Sequence, residues 1–343
     1  MTKKWLFPVM VFLIGFESVA CNVPVFRYAL ERWQQEQYIV SYIHDGSAPI
    51  DEKQVAALAG YCTDEVHGPE SGTRANARCV VIAADSSLSG EERMIVGREM
   101  PDKFPEVRVN FPFAAGIRAP LWRGDPHAPE LPTVLASPLR ENIVTSILSG
   151  TTAIWVFIEC GNRTEDRKYL ALLKKELDKG EKTITLPELS QQDSMDYLPD
   201  GSPELRIDFE IMRVSRNDPQ EKMFISMIEA MEPPIRSMRD KPIAFAVFGR
   251  GRYLHALVGK GINAQTIEQT NRYITGPCAC TVKAENPGKD LLLPDRWESG
   301  IRKKFVHEIK PPEKLFGIGQ FLPRERKPEG QTGSANTRPS AGK

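Results

Sequence analysis

The stretch Lys241–Cys280, KPIAFAVFGRGRYLHALVGKGINAQTIEQTNRYITGPCAC, decides how the chain is read. Ile243, Phe245 and Val247 alternate with Ala244, Ala246 and Phe248, an almost unbroken apolar run suited to a strand buried on both faces. Gly249-Arg250-Gly251 supplies the positive φ of a tight hairpin, and Arg250 and Arg252 are expected in solvent beside it. The return strand places Tyr253, His255 and Leu257 on one side and Leu254, Ala256 and Val258 on the other, with His255 read as structural. Asn263 is the expected N-cap of a closing helix, because its side-chain oxygen can accept from a first-turn amide.

Working back from this stretch, the same order of elements occurs twice. Before it lie a core strand at Ala153–Glu159, a helix at Thr164–Leu177, a polar insertion at Gly180–Gly201, a strand at Leu205–Val214 and a Met-rich helix at Glu221–Met231. The first half opens with a helix over Val23–Trp33. It continues through a strand at Tyr38–Ile43, a helix at Asp51–Tyr61 with Val55, Leu58 and Ala59 inward, and a second buried strand at Cys79–Ala83. A helix within Ser89–Glu99 follows, then a hairpin of Val107–Phe113 with Ala119–Arg123, a Pro-rich loop at Asp125–Pro138, and a helix at Leu139–Leu148. The fold class is therefore α/β, with two tandem domains, each a mixed sheet flanked by helices. The expected boundaries are 21–150 and 151–285, a C-terminal extension at 286–321, and a polar tail at 322–343 with too little apolar surface to order itself.

The 343 residues suit two domains of ordinary size, and 45 Lys and Arg balance 45 Asp and Glu. That balance leaves no global field to recruit nucleic acid, so nucleic-acid binding is not expected. Lys3 and Lys4 precede an apolar run from Trp5 to Phe16 and the segment Glu17-Ser18-Val19-Ala20-Cys21, the layout of a signal peptide over residues 1–20. Export follows, to the periplasm or to a lipid anchor. Cys21 after Val-Ala resembles a lipobox cysteine, although Ser18 stands where leucine is usual, so Cys21 is a candidate for lipidation and membrane attachment. Export makes disulfides admissible. Six cysteines allow 15 pairings, and lipidated Cys21 would leave five, so at least one of those stays unpaired.

Two resemblances follow from these residues. The β-α-β-α-β-β-α order, with a proline before each hairpin, resembles the thioredoxin fold over roughly residues 38–149 and 153–276. The segments CNVPVFRYALERW, GPCAC followed by NPGKDLL, and AFAVFGRGR resemble a family of exported proteins of planctomycetes and related bacteria. The first resemblance implies a dithiol where the helix after the first strand begins, since the helix N-terminus lowers a thiol pKa. The corresponding places, Ser47–Ile50 and Arg163–Asp166, hold no cysteine, which implies redox-inactive domains. Pro105 and Pro242 correspond by position to that fold's cis-proline.

The candidate sites are few. Cys278 and Cys280 form a close pair, read either as a redox or soft-metal site or as sulfurs that pair elsewhere to fasten the C-terminal segment. Phe26 and Trp33 on the N-terminal helix, and Met223 and Met227 on the Met-rich helix, are candidate partner-binding residues as well as candidate core. His44, His67, His127, His255 and His307 lack metal-ligand spacing, and no cofactor is expected. The preferred function is a non-catalytic envelope scaffold binding an envelope protein partner, and the alternative is thiol-disulfide or metal handling through Cys278 and Cys280.

Overall fold

The strand Tyr38–His44 (β1) is the centre of the first sheet of the computed structural model, which describes residues 22–63, 74–85, 87–97, 99–189, 205–278, 282–297 and 301. Residues 1–20, where a signal peptide is expected, Cys21, Cys280, His67, His307, part of the polar insertion and the tail lie outside the described residues. β1 is flanked by β2 (Ala77–Ala83), parallel to it, and by β3 (Glu106–Asn110), antiparallel, with β4 (Trp122–Gly124) beyond β3. The helix α1 (Val25–Arg32) precedes this sheet, and α2 (Glu52–Gly60) and α3 (Gly90–Val96) fall within it. Asp51 caps α2 by accepting from Gln54 N, and Ser89 with Glu92 forms a capping box on α3.

Three expectations change in this half. β2 is half-exposed along most of its length because, among the described residues, it pairs only with β1, so it is an edge and not a buried strand. Ala59 points outward, leaving Leu58 as the buried residue of α2. A short helix, α4 (Leu131–Leu135), forms inside the Pro-rich loop and precedes α5 (Pro138–Leu148). The Phe104–Pro105 bond is the cis bond among the described residues.

The second sheet repeats the arrangement. β5 (Ala153–Glu159) runs parallel to β6 (Phe209–Ser215), connected through the helix α6 (Arg163–Thr183), which extends past the expected end into the polar insertion. After α7 (Lys222–Met231), the strand β7 (Ile243–Phe248) lies antiparallel to β5 on its other side. The return strand is split into β8 (Arg252–Tyr253) and β9 (Leu257–Val258). Val247 faces Tyr253 while Ala244 faces Leu257, so the return side carries one residue more than its partner between these pairs. This is the geometry of a β-bulge, and it turns His255 out to solvent. The helix α8 (Ala264–Thr275) closes the half, capped by Asn263 with Thr266 in a reciprocal box. A final strand, β10 (Lys289–Asp290), adds to β8 and makes this sheet six-stranded.

Alternation along β5 and β7 sorts their side chains into two cores. Ala153, Trp155, Phe157, Ala246 and Phe248 face α1, α6 and α8, where the Trp155 indole N–H donates to Asn271 Oδ1 at 3.0 Å. Ile154, Val156, Ile158, Phe245 and Val247 face the opposite way, into a cluster they share with Tyr38, Val40, Tyr42, Val107 and Val109 of the first sheet. The division near Gly150 thus separates two sheets that share one of these cores, and the described residues belong to one compact unit. Leu291, Leu292, Leu293 and Trp297 of the C-terminal extension are buried in the same shared core. Each such side chain contributes about 2 kcal/mol by burial, so the extension is part of the fold. Asn76 holds it across the halves: its Oδ1 accepts from Leu293 N at 2.8 Å, and its Nδ2 donates to Leu291 O at 3.1 Å.

Candidate functional site at the end of β5

In parallel α/β sheets, functional groups gather at the carboxyl ends of the strands. Here β5 ends in Glu159, and Cys160-Gly161-Asn162 turn the chain into α6, with Gly161 at φ +88°. Asn162 caps the helix by accepting from Thr164 N and Glu165 N. Asp166 in the first turn is buried, and its carboxylate reaches back to accept from Cys160 N at 2.9 Å and Gly161 N at 3.0 Å. The carboxylate thus holds two turn amides and Asn162 two amides of the first helical turn, donors that would otherwise stabilise an anion at the positive end of the helix dipole. Burial and the adjacent Asp166 carboxylate both push the Cys160 thiol above the ordinary thiol range.

Arg216, one residue beyond β6, completes this corner. Its backbone N–H donates to Glu159 O at 3.2 Å, and its Nη1 donates to Met238 O at 3.2 Å. Among the described residues its Nε and Nη2 have no partner, and burial lowers its pKa while Glu229 opposes that shift. The corner therefore offers a neutral thiol, a committed carboxylate and one guanidinium with spare donors. Such a set can bind through hydrogen bonds, and it is poorly suited to nucleophilic attack near neutral pH.

The candidate residues read from sequence fall elsewhere. Met227 is 0% exposed; its sulfur accepts from the Tyr38 hydroxyl at 3.3 Å and from Leu292 N at 3.3 Å. Met223 is half-buried against the shared core, and Phe26 and Trp33 are buried in the second core. Phe26, Trp33 and Met227 thus take the core reading of their stripes, covered by other parts of the chain, while Met223 keeps part of its surface exposed. Cys278 is likewise buried in the second core, its N–H donating to Val23 O at 2.9 Å. It lies beside Tyr273, whose hydroxyl is pushed up to about 12, chiefly by burial. Cys280 and Cys21 lie outside the described residues. His44 is the half-buried last residue of β1, and Asp45 beside it makes an exposed local turn, its Oδ1 accepting from Ser47 N at 2.9 Å.

Arg250 and Arg252 reverse the solvent expectation: both are buried. Arg250 donates to Leu30 O at 2.7 Å and to Gln34 Oε1 at 3.1 Å, satisfying the carboxyl end of α1. Arg252 donates to Pro287 O, Asn286 O and Asp290 Oδ1, and its guanidinium lies 5.6 Å over the Trp33 ring. Asp290 also accepts from Glu36 N at 2.7 Å and from Lys283 Nζ. The space left among Ala29, Trp33, Arg250, Arg252, Lys283 and Asp290 is about 10 Å³, at the limit for one water, so this hub is a structural joint and not a ligand site. Sequence reasoning missed Asp166, Asn76 and Asp290; only an acidic residue in a helix's first turn, at Asp166, left a local signal. Comparison of the chain with protein-family models, with curated proteins and with solved structures finds no match.

Proposed function

We propose that this chain is an exported, redox-inactive protein of thioredoxin-like architecture that acts in the cell envelope by binding another protein. The observation that carries this reading is the Asp166 carboxylate at the start of α6. A thioredoxin-like oxidoreductase needs a low thiol pKa at that turn; here the single cysteine of the turn, Cys160, sits beside an anion that accepts from the turn's own amides and raises the thiol. The repeated strand order of the two sheets supports the architecture. The apolar run before Cys21, and the resemblance to exported planctomycete proteins, support export and make Cys21 the candidate anchor. Contact residues for the partner are to be sought among the large apolar side chains left exposed, such as Val81, Met94, Met100 and Phe113, and not in α1 or α7.

The test has two arms. Insulin-disulfide reduction by the wild type and by a Cys278→Ser/Cys280→Ser variant is expected to stay at the uncatalysed rate for both. Turnover by the wild type that the variant loses would establish the thiol-handling alternative instead. Mass spectrometry of the protein's N-terminus is expected to start at Cys21, with or without a diacylglyceryl adduct, and an intact Met1 would overturn export.

A further inference from the structure

Tyr61 caps the carboxyl end of α2, and Cys62 follows it. The Cys62 backbone pairs with Ala75 in an isolated parallel bridge, and Thr63 N donates to Ala77 O at 2.9 Å, so the turn after α2 lies along the beginning of the edge strand β2. On β2, Cys79 shares a face with Ala77, toward the core common to both sheets, while Val80 and Ile82 face the small cluster on the other side. Cys62 is only 2% exposed and belongs to that common core; Cys79 is half-buried and packs against it from the open edge of the sheet. The Cys62 thiol donates to Leu58 O at 3.5 Å, and it is also the neighbour that lowers the Cys79 thiol. Two thiols of one half thus meet at the end of α2, although 16 residues separate them in sequence.

We propose that Cys62 and Cys79 are a dithiol that closes into an intramolecular disulfide, with Cys79 reacting first and Cys62 resolving. The oxidant is a disulfide, of a small thiol or of a protein. The Cys79 thiolate attacks one of its sulfurs, the external S–S bond breaks, and one external thiolate leaves and takes up a proton. Cys62 then loses its proton, attacks the Cys79 sulfur of the mixed disulfide and expels the second external thiol. Two protein thiols are oxidised to one S–S bond, and one external disulfide is reduced to two thiols. Cys79 is the first to react because it is the more exposed of the two and because the hydrogen bond from Cys62 holds its thiol below the ordinary range. The closed bond ties α2 to the sheet edge and shrinks the unfolded ensemble, so the oxidised protein melts about 5 °C or more higher. The proposal stands on this geometry alone and does not depend on where the protein resides.

The test equilibrates the full chain with oxidised and reduced glutathione, quenches with an alkylating agent and maps the peptides. In the oxidising buffer Cys62 and Cys79 are expected to lose alkylation together and to appear as one linked peptide lighter by two hydrogens, with Cys160 still alkylated. In Cys62→Ser, Cys79 is expected to stop at a stable glutathione adduct. Continued alkylation of both cysteines in the oxidising buffer overturns the proposal. So does linkage of Cys79 to any other cysteine, or a persistent glutathione adduct on Cys79 in the wild type. The wild-type peptide map decides the matter even where the serine variant fails to fold.

Discussion

Ser137 and Glu221, 84 residues apart, share a buried hydrogen bond of 2.6 Å from the serine hydroxyl to the carboxylate. The same carboxylate accepts from Leu139 N at 2.8 Å. Ser137 is the N-cap of α5 yet makes no side-chain cap bond itself, so Glu221 at the start of α7 caps a helix of the other half. Arg140 lies beside it, fully buried, donating to Ser137 Oγ at 2.9 Å and to Val134 O at 2.9 Å. Burial lowers the Arg140 pKa to about 10, with Glu221 acting against that shift.

Removal of this carboxylate leaves a buried guanidinium without its nearest anion and two donors without an acceptor. Glu221→Ala is expected to lose about 3 kcal/mol of stability in urea unfolding. Glu221→Gln keeps one acceptor and should lose about half as much. Equal losses for the two variants would show that the acceptor Gln retains contributes nothing and that the loss comes from removing the charge.

Arg252 and Asp290 are both buried and 3.2 Å apart, and they join the hairpin to the C-terminal extension. Asp290→Ala strands Arg252 in the interior and should cost about 3–5 kcal/mol. Arg252→Lys keeps the charge but not the fork that reaches several acceptors, and should cost at least about 1 kcal/mol. Amide hydrogen exchange at Leu291–Leu293 is expected to accelerate in both variants.

Gly251 sits at φ +87°, and a Cβ there would run into Leu293 Cδ1; Gly46 has φ +75° with open space around it. Gly251→Ala should therefore cost about 3 kcal/mol, from left-handed backbone plus overpacking. Gly46→Ala should cost only about 1 kcal/mol, from backbone alone. Thermal melts of the pair separate the two contributions.

Alkylation follows the thiolate, so the pH midpoint for Cys160 should lie above that of an ordinary thiol and that of Cys79, in reduced protein, below it. Asp166→Asn removes the negative neighbour and should speed Cys160 alkylation at neutral pH by about threefold. An unchanged midpoint in Asp166→Asn would remove the electrostatic basis of the redox-inactive reading.

The chain by itself determined those features whose partners are close in sequence. The two-faced burial of β5 and β7 is legible because alternation is a property of six or seven consecutive residues. The Asn263 cap and the Gly249–Gly251 turn are legible because cap and turn bonds span three or four residues. The α/β class with two mixed sheets follows from the order of such pieces. Tertiary structure alone decided what depends on distant partners. Met227 faces Leu292 and not a partner, Arg252 meets Asp290 and not solvent, and Glu221 caps α5 from the other half. It also decided that the two sheets share a core and that Cys62 and Cys79 both pack into it. A methionine stripe or an arginine beside a turn looks the same in sequence whether water or protein covers it, because burial is set by whatever the rest of the chain lays over it.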